Sequence, residues 1–279
     1  MQLWQLLILA VVQGLAELLP ISSSAHVIVA EKLLGLDPTT PQMTLLLVML
    51  HTGTMFAVLV YFWKAWRATY FSSRDAFIAN ARSVVIASVA TAVVALALLK
   101  IIKHLFAPGA SDFEIENLFG NARLMAAALA AAGLLIIGSA RARPASTETV
   151  SAAAAGWIGA VQGVCLPFRG FSRSGATIST GLLLGVARRR AEEFSFALAV
   201  VLTPAVIARE VLRLHKAQAD GPAGTGLAHG FAPGLIGMVL SFAAGMVALR
   251  WLSRWLEQGR WYLFGAYCLV AAAVVFWLG

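Results

Sequence analysis

The chain has 279 residues, of which 60% are hydrophobic and only 12% charged, and its mean hydropathy is +0.82. A soluble domain carries about twice that charged fraction, and continuous rather than alternating apolar runs exclude strands. The composition therefore predicts an all-α, polytopic membrane protein, and the net charge of +8 reads as basic loops beside membrane spans, with no nucleic acid as partner.

In chain order, eight apolar blocks reach or approach the length a bilayer needs: 3–19, 43–63, 84–106, 118–139, 151–166, 192–213, 231–252 and 261–278. No basic region precedes the first, because the first Lys or Arg is Lys32, so that segment is expected to be retained and not cleaved as a signal peptide. The block runs into "QGLAELLPISSSAHVI" (13–28), where Glu17, Pro20, Ser22, Ser23, Ser24 and His26 interrupt the apolar pattern, and then into a short amphipathic piece, 23–36. The fifth block is interrupted in the same way by "PFRGFSRSG" (167–175), followed by a short piece at 173–187. Cys165 and Cys268 stand alone in apolar segments with no metal-ligand spacing.

Charge sets the expected topology. Residues 64–82, Arg141, Arg143, Arg188 to Arg190, Arg250, Arg254 and Arg260 are basic, whereas 107–117 carries Asp112, Glu114 and Glu116 and no Lys or Arg. The positive-inside rule places the former in the cytoplasm and the latter outside. Residues 151–187 must then enter and leave on the cytoplasmic side, and 3–36 on the outer side. The expectation is one integral membrane domain, 1–279, with six transmembrane helices, two oppositely oriented re-entrant helical hairpins and both termini outside. Trp63, Trp66, Trp251, Trp255, Trp261 and Tyr262 lie near span ends and read as interfacial belts.

The two interruptions resemble each other. "VVQGLAELLPISSSAHVI" and "AVQGVCLPFRGFSRSGATI" align Gln13-Gly14 with Gln162-Gly163, a shift of 149 residues that also brings Ser23 onto Ser172. An inverted-topology repeat, about 1–140 and 150–279, is expected, with its functional site near mid-membrane where broken helices meet. Non-helical backbone at that depth must line a polar cavity.

Residue types then suggest chemistry. Glu17 follows Gln13 by one helical turn, and a carboxylate at membrane depth is a functional candidate. Pro20 ends that helix. The serines suit a helix N-terminus, and His26 lies one turn further. His51, in "LHTGT" (50–54), reads as core packing more readily than as cavity lining. In the second interruption Arg169, Ser172, Arg173, Ser174, Gly175 and Thr177 gather cations, hydroxyls and a glycine at a helix N-terminus, the makings of a phosphate cradle. Glu192 and Glu193 read as residues of a cytoplasmic helix N-terminus. An acid, hydroxyls and an imidazole opposite an anion cradle suit phosphoryl transfer. Arg173 would stabilise charge, and Ser23 or His26 would attack or move a proton. A divalent cation held by Glu17 and phosphate oxygens would complete the set.

"QGLAELLPISSSAH" (13–26), "GFSRSGATIS" (170–179) and "EEFSFALAV" (192–200) resemble the undecaprenyl-diphosphatase, or bacitracin-resistance, family of lipid pyrophosphatases, essentially end to end. The resemblance implies hydrolysis of the pyrophosphate on a C55 polyprenyl carrier, recycling the lipid for peptidoglycan synthesis in the bacterial inner membrane. It also implies dependence on Mg²⁺ or Ca²⁺, and bacitracin as a competitor for the substrate. Carried over residue by residue, it assigns catalysis to Glu17, Ser23, His26 and Arg173, metal to Glu17, and substrate binding to Gln13, Arg169, Ser172, Ser174, Gly175 and Thr177. Arg169 and Ala25 depart from the family's usual proline and glycine. The pyrophosphate is expected to enter from the outer side. The nucleophile stays open between Ser23, which is preferred, His26 and water; a homodimer also stays open. The competing reading is a transporter or flippase of phosphorylated lipid, which would need Arg173 but not Ser23, His26 and Glu17 together.

Overall fold

A computed structural model describes every residue except 38–39, 107–120, 143–146, 220–226 and 279. The acidic loop with Asp112, Glu114 and Glu116, and Arg143, lie outside the described residues. Among the described residues the chain forms ten α-helices and no named strand: α1 (Leu3–Leu18), α2 (Ser23–Leu33), α3 (Pro41–Tyr70), α4 (Arg74–Phe106), α5 (Ala122–Ala140), α6 (Ala152–Cys165), α7 (Arg173–Leu183), α8 (Arg188–Ala219), α9 (Leu227–Glu257) and α10 (Tyr262–Leu278). Four of them, α3, α4, α5 and α9, are long and apolar enough to cross a membrane. Along α4, Val85, Val89, Val93 and Leu96 are each more than half exposed. An apolar stripe of that length on a helix surface is stable against lipid, not water. The chain is a multi-pass membrane protein.

Local chemistry sets the helix ends. Gln2 and Gln5 form a reciprocal capping box at the start of α1. Leu19 leaves the helix in extended backbone (φ −74°, ψ 150°), as a residue before proline prefers. Asn121, Ser151 and Ser172 cap α5, α6 and α7 through their side-chain oxygens.

Two boundaries differ from the sequence expectation. The basic stretch 64–82 is not a loop, because α3 runs on to Tyr70 and α4 starts at Arg74. Only 71–73 breaks the path, and Ser73 Oγ accepts from Ala76 N at 3.1 Å to start α4. Likewise α8 begins at Arg188, so the three arginines occupy its first turn.

The helix order repeats at the shift of 149 residues. From Leu3, α1 maps onto the start of α6 at Ala152; α2 maps within a residue onto α7; the end of α3 at Tyr70 maps onto the end of α8 at Ala219. Packing repeats too. A Cβ on Gly14 would lie 2.7 Å from Ser241 O and 2.6 Å from Ala244 Cβ, and one on Gly163 would lie 2.7 Å from Thr91 O and 2.8 Å from Val94 Cβ. Each glycine lets its short helix seat directly on a long one, α1 on α9 and α6 on α4, as small residues do between membrane helices. Gly163→Ala is expected to cost about 1–3 kcal/mol and to lower the thermal midpoint in detergent by several degrees. Gly138→Ala, where an added Cβ meets nothing within 4 Å, is the control and should leave the midpoint in place.

The helices form two compact units. The first comprises Met1–Leu19, Ser23–Trp63 and Ala199–Leu252. Its core is Leu6, Leu9, Ala10, Ala30, Met43, Leu46 and Leu50. The open end of the α1–α2 hairpin is tied by Gln5 Nε2, which donates to Leu34 O at 3.1 Å. The second unit comprises Pro20–Ser22, Lys64–Leu198 and Ser253–Gly279. Here α6 and α7 form a hairpin closed at its open end, where Ala187 N donates to Thr147 O at 3.0 Å. At ~1.5 Å per residue, α1, α2, α6 and α7 rise only ~16–24 Å, short of a ~30 Å hydrocarbon core.

Around that closure the second unit gathers three separate basic segments, 64–82, 188–190 and the one with Arg254 and Arg260. Trp66 Nε1 donates to Glu193 O at 3.1 Å, and Ser83 Oγ to Val150 O at 3.2 Å. Arg188 Nη1 donates to Glu257 O at 3.2 Å, and Ser253 Oγ to Glu192. Arg190 lies 5.0 Å from the Tyr70 ring centroid and donates to Asn80 and, at 3.3 Å, to Glu193. Beside them lies a cavity of about 430 Å³ bordered by Thr69, Glu148, Arg189 and Glu193. Arg190, read from sequence as a solvated topology signal, is only 3% exposed. Glu192 and Glu193, read as a helix N-terminus, lie in the second turn of α8, which starts at Arg188, and are buried partners. Trp66 and Trp261, read as belt residues, are buried because the indole N–H finds internal acceptors: Glu193 O for Trp66, and Ser139 Oγ and Ser179 Oγ for Trp261. Trp63, Trp251 and Tyr262 are exposed, as a belt requires.

Candidate functional site

The first interruption of the apolar pattern becomes the gap between α1 and α2. Glu17 sits in the last turn of α1, and Ser23 opens α2. Ser22 between them is a buried non-glycine residue at φ 68°. A left-handed conformation of this kind costs on the order of 1–3 kcal/mol and persists where the surroundings enforce it. The turn delivers Ser23 back to Glu17, and Ser23 Oγ donates to Glu17 Oε2 at 2.6 Å.

That oxygen is a hub. Gln13 Nε2, one helical turn earlier, donates to it at 3.3 Å, and His51 Nε2 on α3 stands 3.7 Å from it. Gln13 is buried, while the side chains of Glu17 and His51 are 20% and 37% exposed. A hydroxyl, an amide and an imidazole therefore face one carboxylate oxygen within reach of solvent. His26 lies one turn along α2 from Ser23 and is half-buried. His51, which the sequence favoured as core packing, belongs to this group. An apolar helix pattern shows which face a residue occupies, not which carboxylate a second helix brings to it.

In the second unit the other interruption becomes the gap between α6 and α7. Ser172 is the N-cap of α7; its Oγ accepts from Gly175 N at 3.2 Å and its carbonyl from Ala176 N at 2.9 Å. Arg173 is the first residue of the helix, so its guanidinium starts from the positive end of the dipole. Arg169 and Arg173 are half-buried, and Ser172, Ser174, Gly175 and Thr177 are buried. The Thr177 hydroxyl bonds inward, donating to Arg173 O at 2.8 Å and meeting Ser195 Oγ at 2.6 Å. The "EEFSFALAV" segment thus contributes Ser195 as a brace for the loop, a role that its sequence alone does not disclose. Gly175 is required by close approach: a Cβ there would lie 2.8 Å from Ile136 Cδ1 and 3.2 Å from Pro20 Cβ. Pro20, in the α1–α2 gap, also accepts from Cys268 Sγ at 3.2 Å through its carbonyl.

The structure thus joins Gln13, Glu17, Ser23 and His51 in one constellation and Ser172, Arg173, Gly175 and Thr177 in another. Among the described residues, no three histidine, cysteine or carboxylate side chains converge as a metal cluster. An ion held at Glu17 would draw its remaining ligands from phosphate oxygens and water, which suits Mg²⁺.

Comparison with known proteins gives a consistent result. The family model for bacitracin resistance protein BacA matches residues 6–274. The chain is 61% identical over 277 residues to Undecaprenyl-diphosphatase 2 of Acinetobacter baylyi, covering 99% of this chain and 97% of the relative. It is 33% identical to Undecaprenyl-diphosphatase of Desulfosudis oleivorans, covering 98% and 97%. It is 35% identical to Undecaprenyl-diphosphatase 2 of Burkholderia orbicola, covering 100% and 97%.

Proposed function

The chain belongs to the BacA family, and from that premise we infer that it hydrolyses undecaprenyl pyrophosphate to undecaprenyl phosphate and inorganic phosphate. Water is consumed and one P–O–P anhydride linkage is broken. The observation that carries this is the 61% identity, over nearly the whole chain, to a protein named for that activity. The reaction returns the carrier lipid to peptidoglycan synthesis, and by consuming the form that bacitracin binds it confers resistance.

In this reading the two constellations serve one substrate. Arg173, at the N-terminus of α7, holds the pyrophosphate and stabilises the charge that develops on it. Glu17 would hold a divalent cation and orients Ser23, whose Oγ would attack the terminal phosphorus as undecaprenyl phosphate leaves, with His26 taking its proton; water would then hydrolyse the phosphoserine and release inorganic phosphate. A lipid carrier would need Arg173 but no hydroxyl aligned on a carboxylate, so the Ser23–Glu17 contact favours hydrolysis over transport.

For the membrane arrangement we propose six crossings, with α1–α2 and α6–α7 as re-entrant hairpins from opposite sides of the bacterial inner membrane, and a site open to the periplasm. It is supported by two short hairpins, each tied at its open end, and by the gathering of the basic segments around the α6–α7 closure. The test uses purified protein and C55 pyrophosphate. Phosphate should be released with Mg²⁺ or Ca²⁺, stop on chelation and resume on metal addition. Release that ignores chelator would remove the metal from the mechanism. Substrate that is bound but never cleaved under any metal would favour the carrier.

A further inference from the structure

The cavity beside the α6–α7 closure plays no part in the chemistry proposed above. It is lined by the last turns of α3 (Ala65, Ala68 and Thr69), the first two turns of α8 (Arg189, Arg190 and Glu193) and Glu148 on the segment leading into α6. At about 430 Å³ it falls within the ~300–1,000 Å³ of ligand clefts. Lys64 and Arg67, next to Ala65 and Ala68, are exposed. Exposed cations stay out of hydrocarbon, so this end of α3 stands at headgroup depth. Just beyond it Phe71 and Phe77, both exposed, stack with ring centroids 5.7 Å apart and add apolar surface.

Glu193 is already engaged: Oε1 accepts from Arg189 Nε at 3.0 Å and Oε2 from Arg190 Nη1 at 3.3 Å. Arg190 Nη2 donates to Asn80. What remains is Arg190 Nε, a donor on a side chain only 3% exposed that meets no acceptor among the described residues. A buried guanidinium N–H without an acceptor is rare, and here it borders a cavity. The terminal amino groups of Arg189 and the exposed Glu148 carboxylate are likewise without a partner among the described residues. An anion alone would satisfy the arginines and face Glu148 unfavourably. A phosphate joined to a primary ammonium satisfies both, and a ligand of no net charge suits a wall on which Arg189 and Arg190 balance Glu148 and Glu193. We propose that this cavity binds the phosphoethanolamine headgroup of a membrane lipid, phosphate on Arg189 and Arg190 and ammonium on Glu148.

The full chain in detergent is titrated with phosphatidylethanolamine, phosphatidylcholine and phosphatidylglycerol of matched acyl chains, and bound lipid is counted by native mass spectrometry. Water-soluble phosphoethanolamine is a further arm. One phosphatidylethanolamine per chain should bind at least ~10-fold more tightly than phosphatidylcholine, whose quaternary ammonium donates no hydrogen bond, or phosphatidylglycerol, which brings no cation to Glu148. Glu148→Gln should abolish that preference. Arg189→Gln should weaken all three lipids, because each presents a phosphate. Both side chains are exposed and neither belongs to the reactive set, so phosphate release from C55 pyrophosphate should stay at the wild-type level in both variants. Equal affinity for the three lipids, or a preference that survives Glu148→Gln, would overturn the proposal. Soluble phosphoethanolamine binding as tightly as the lipid would overturn the membrane source. Wild-type protein that selects phosphatidylethanolamine but releases no phosphate would sink the hydrolase alone.

Discussion

Glu17→Ala is expected to lower phosphate release by at least ~10³-fold while the thermal midpoint stays within a degree or two of wild type. The carboxylate is part-exposed and lies outside the apolar core of its unit, so its loss removes few packing contacts. It does remove the acceptor shared by Ser23 and Gln13 and the carboxylate that His51 faces. Glu17→Gln separates charge from shape: it keeps an oxygen for Ser23 but takes away the anion that holds the cation, and should lose nearly as much. Arg173→Ala should match it. Arg173→Lys should recover only part, because an ammonium lacks the planar fork that grips phosphate in two places. The double variant Glu17→Ala/Arg173→Ala is the decisive one. Residues acting as a unit give non-additive losses, so it should be no slower than the worse single variant. Losses that multiply would mean that the two constellations act independently, and the single-substrate mechanism would fall.

The largest expected effect on stability lies at the other functional extreme of the chain. Arg190→Ala should cost about 3–5 kcal/mol, the range for removing one partner from a buried ion pair, read as a lower unfolding midpoint in detergent. Arg190 is 3% exposed and ties Glu193 to Asn80 and the Tyr70 ring. Without it, Glu193 keeps only Arg189, whose side chain is 70% exposed. Arg189→Ala should therefore cost far less, within ~1 kcal/mol. Arg190→Met with Glu193→Met should restore much of the loss, since apolar replacement of a whole buried pair is often neutral. Equal effects at Arg189 and Arg190 would show that the buried network does not hold these helices together.

Much of this was legible in the sequence. Pro20 and the serine run locate the α1–α2 gap, and Ser172 with Gly175 locates the α7 start, because caps and breakers act within a few residues of themselves. The matching Gln-Gly pairs disclose the correspondence of helix bounds because the residues themselves recur at one shift; which long helix each glycine seats against is set by the fold. What charge reports is different. The basic residues of 64–82 signal topology and not a helix end, and α3 and α4 run through them; the signal for the true boundary is Ser73 with Asp75 behind it, an N-cap pattern. His51, Ser195, Trp66 and Trp261 were misjudged or passed over together. Each is defined by a partner far along the chain, and no periodicity reveals a partner.

At the repeat shift, Glu17 coincides with Leu166 and Arg173 with Ser24. Helix bounds nearly coincide at that shift, but the acid and the guanidinium each occur once, while Ser23 recurs as Ser172. A chain assembled from two copies of residues 1–140 would carry a pair of acids at its turns and no guanidinium there; two copies of 150–279 would carry the reverse. Neither half of the chain therefore carries the full set of reactive groups, and neither can stand in for the other.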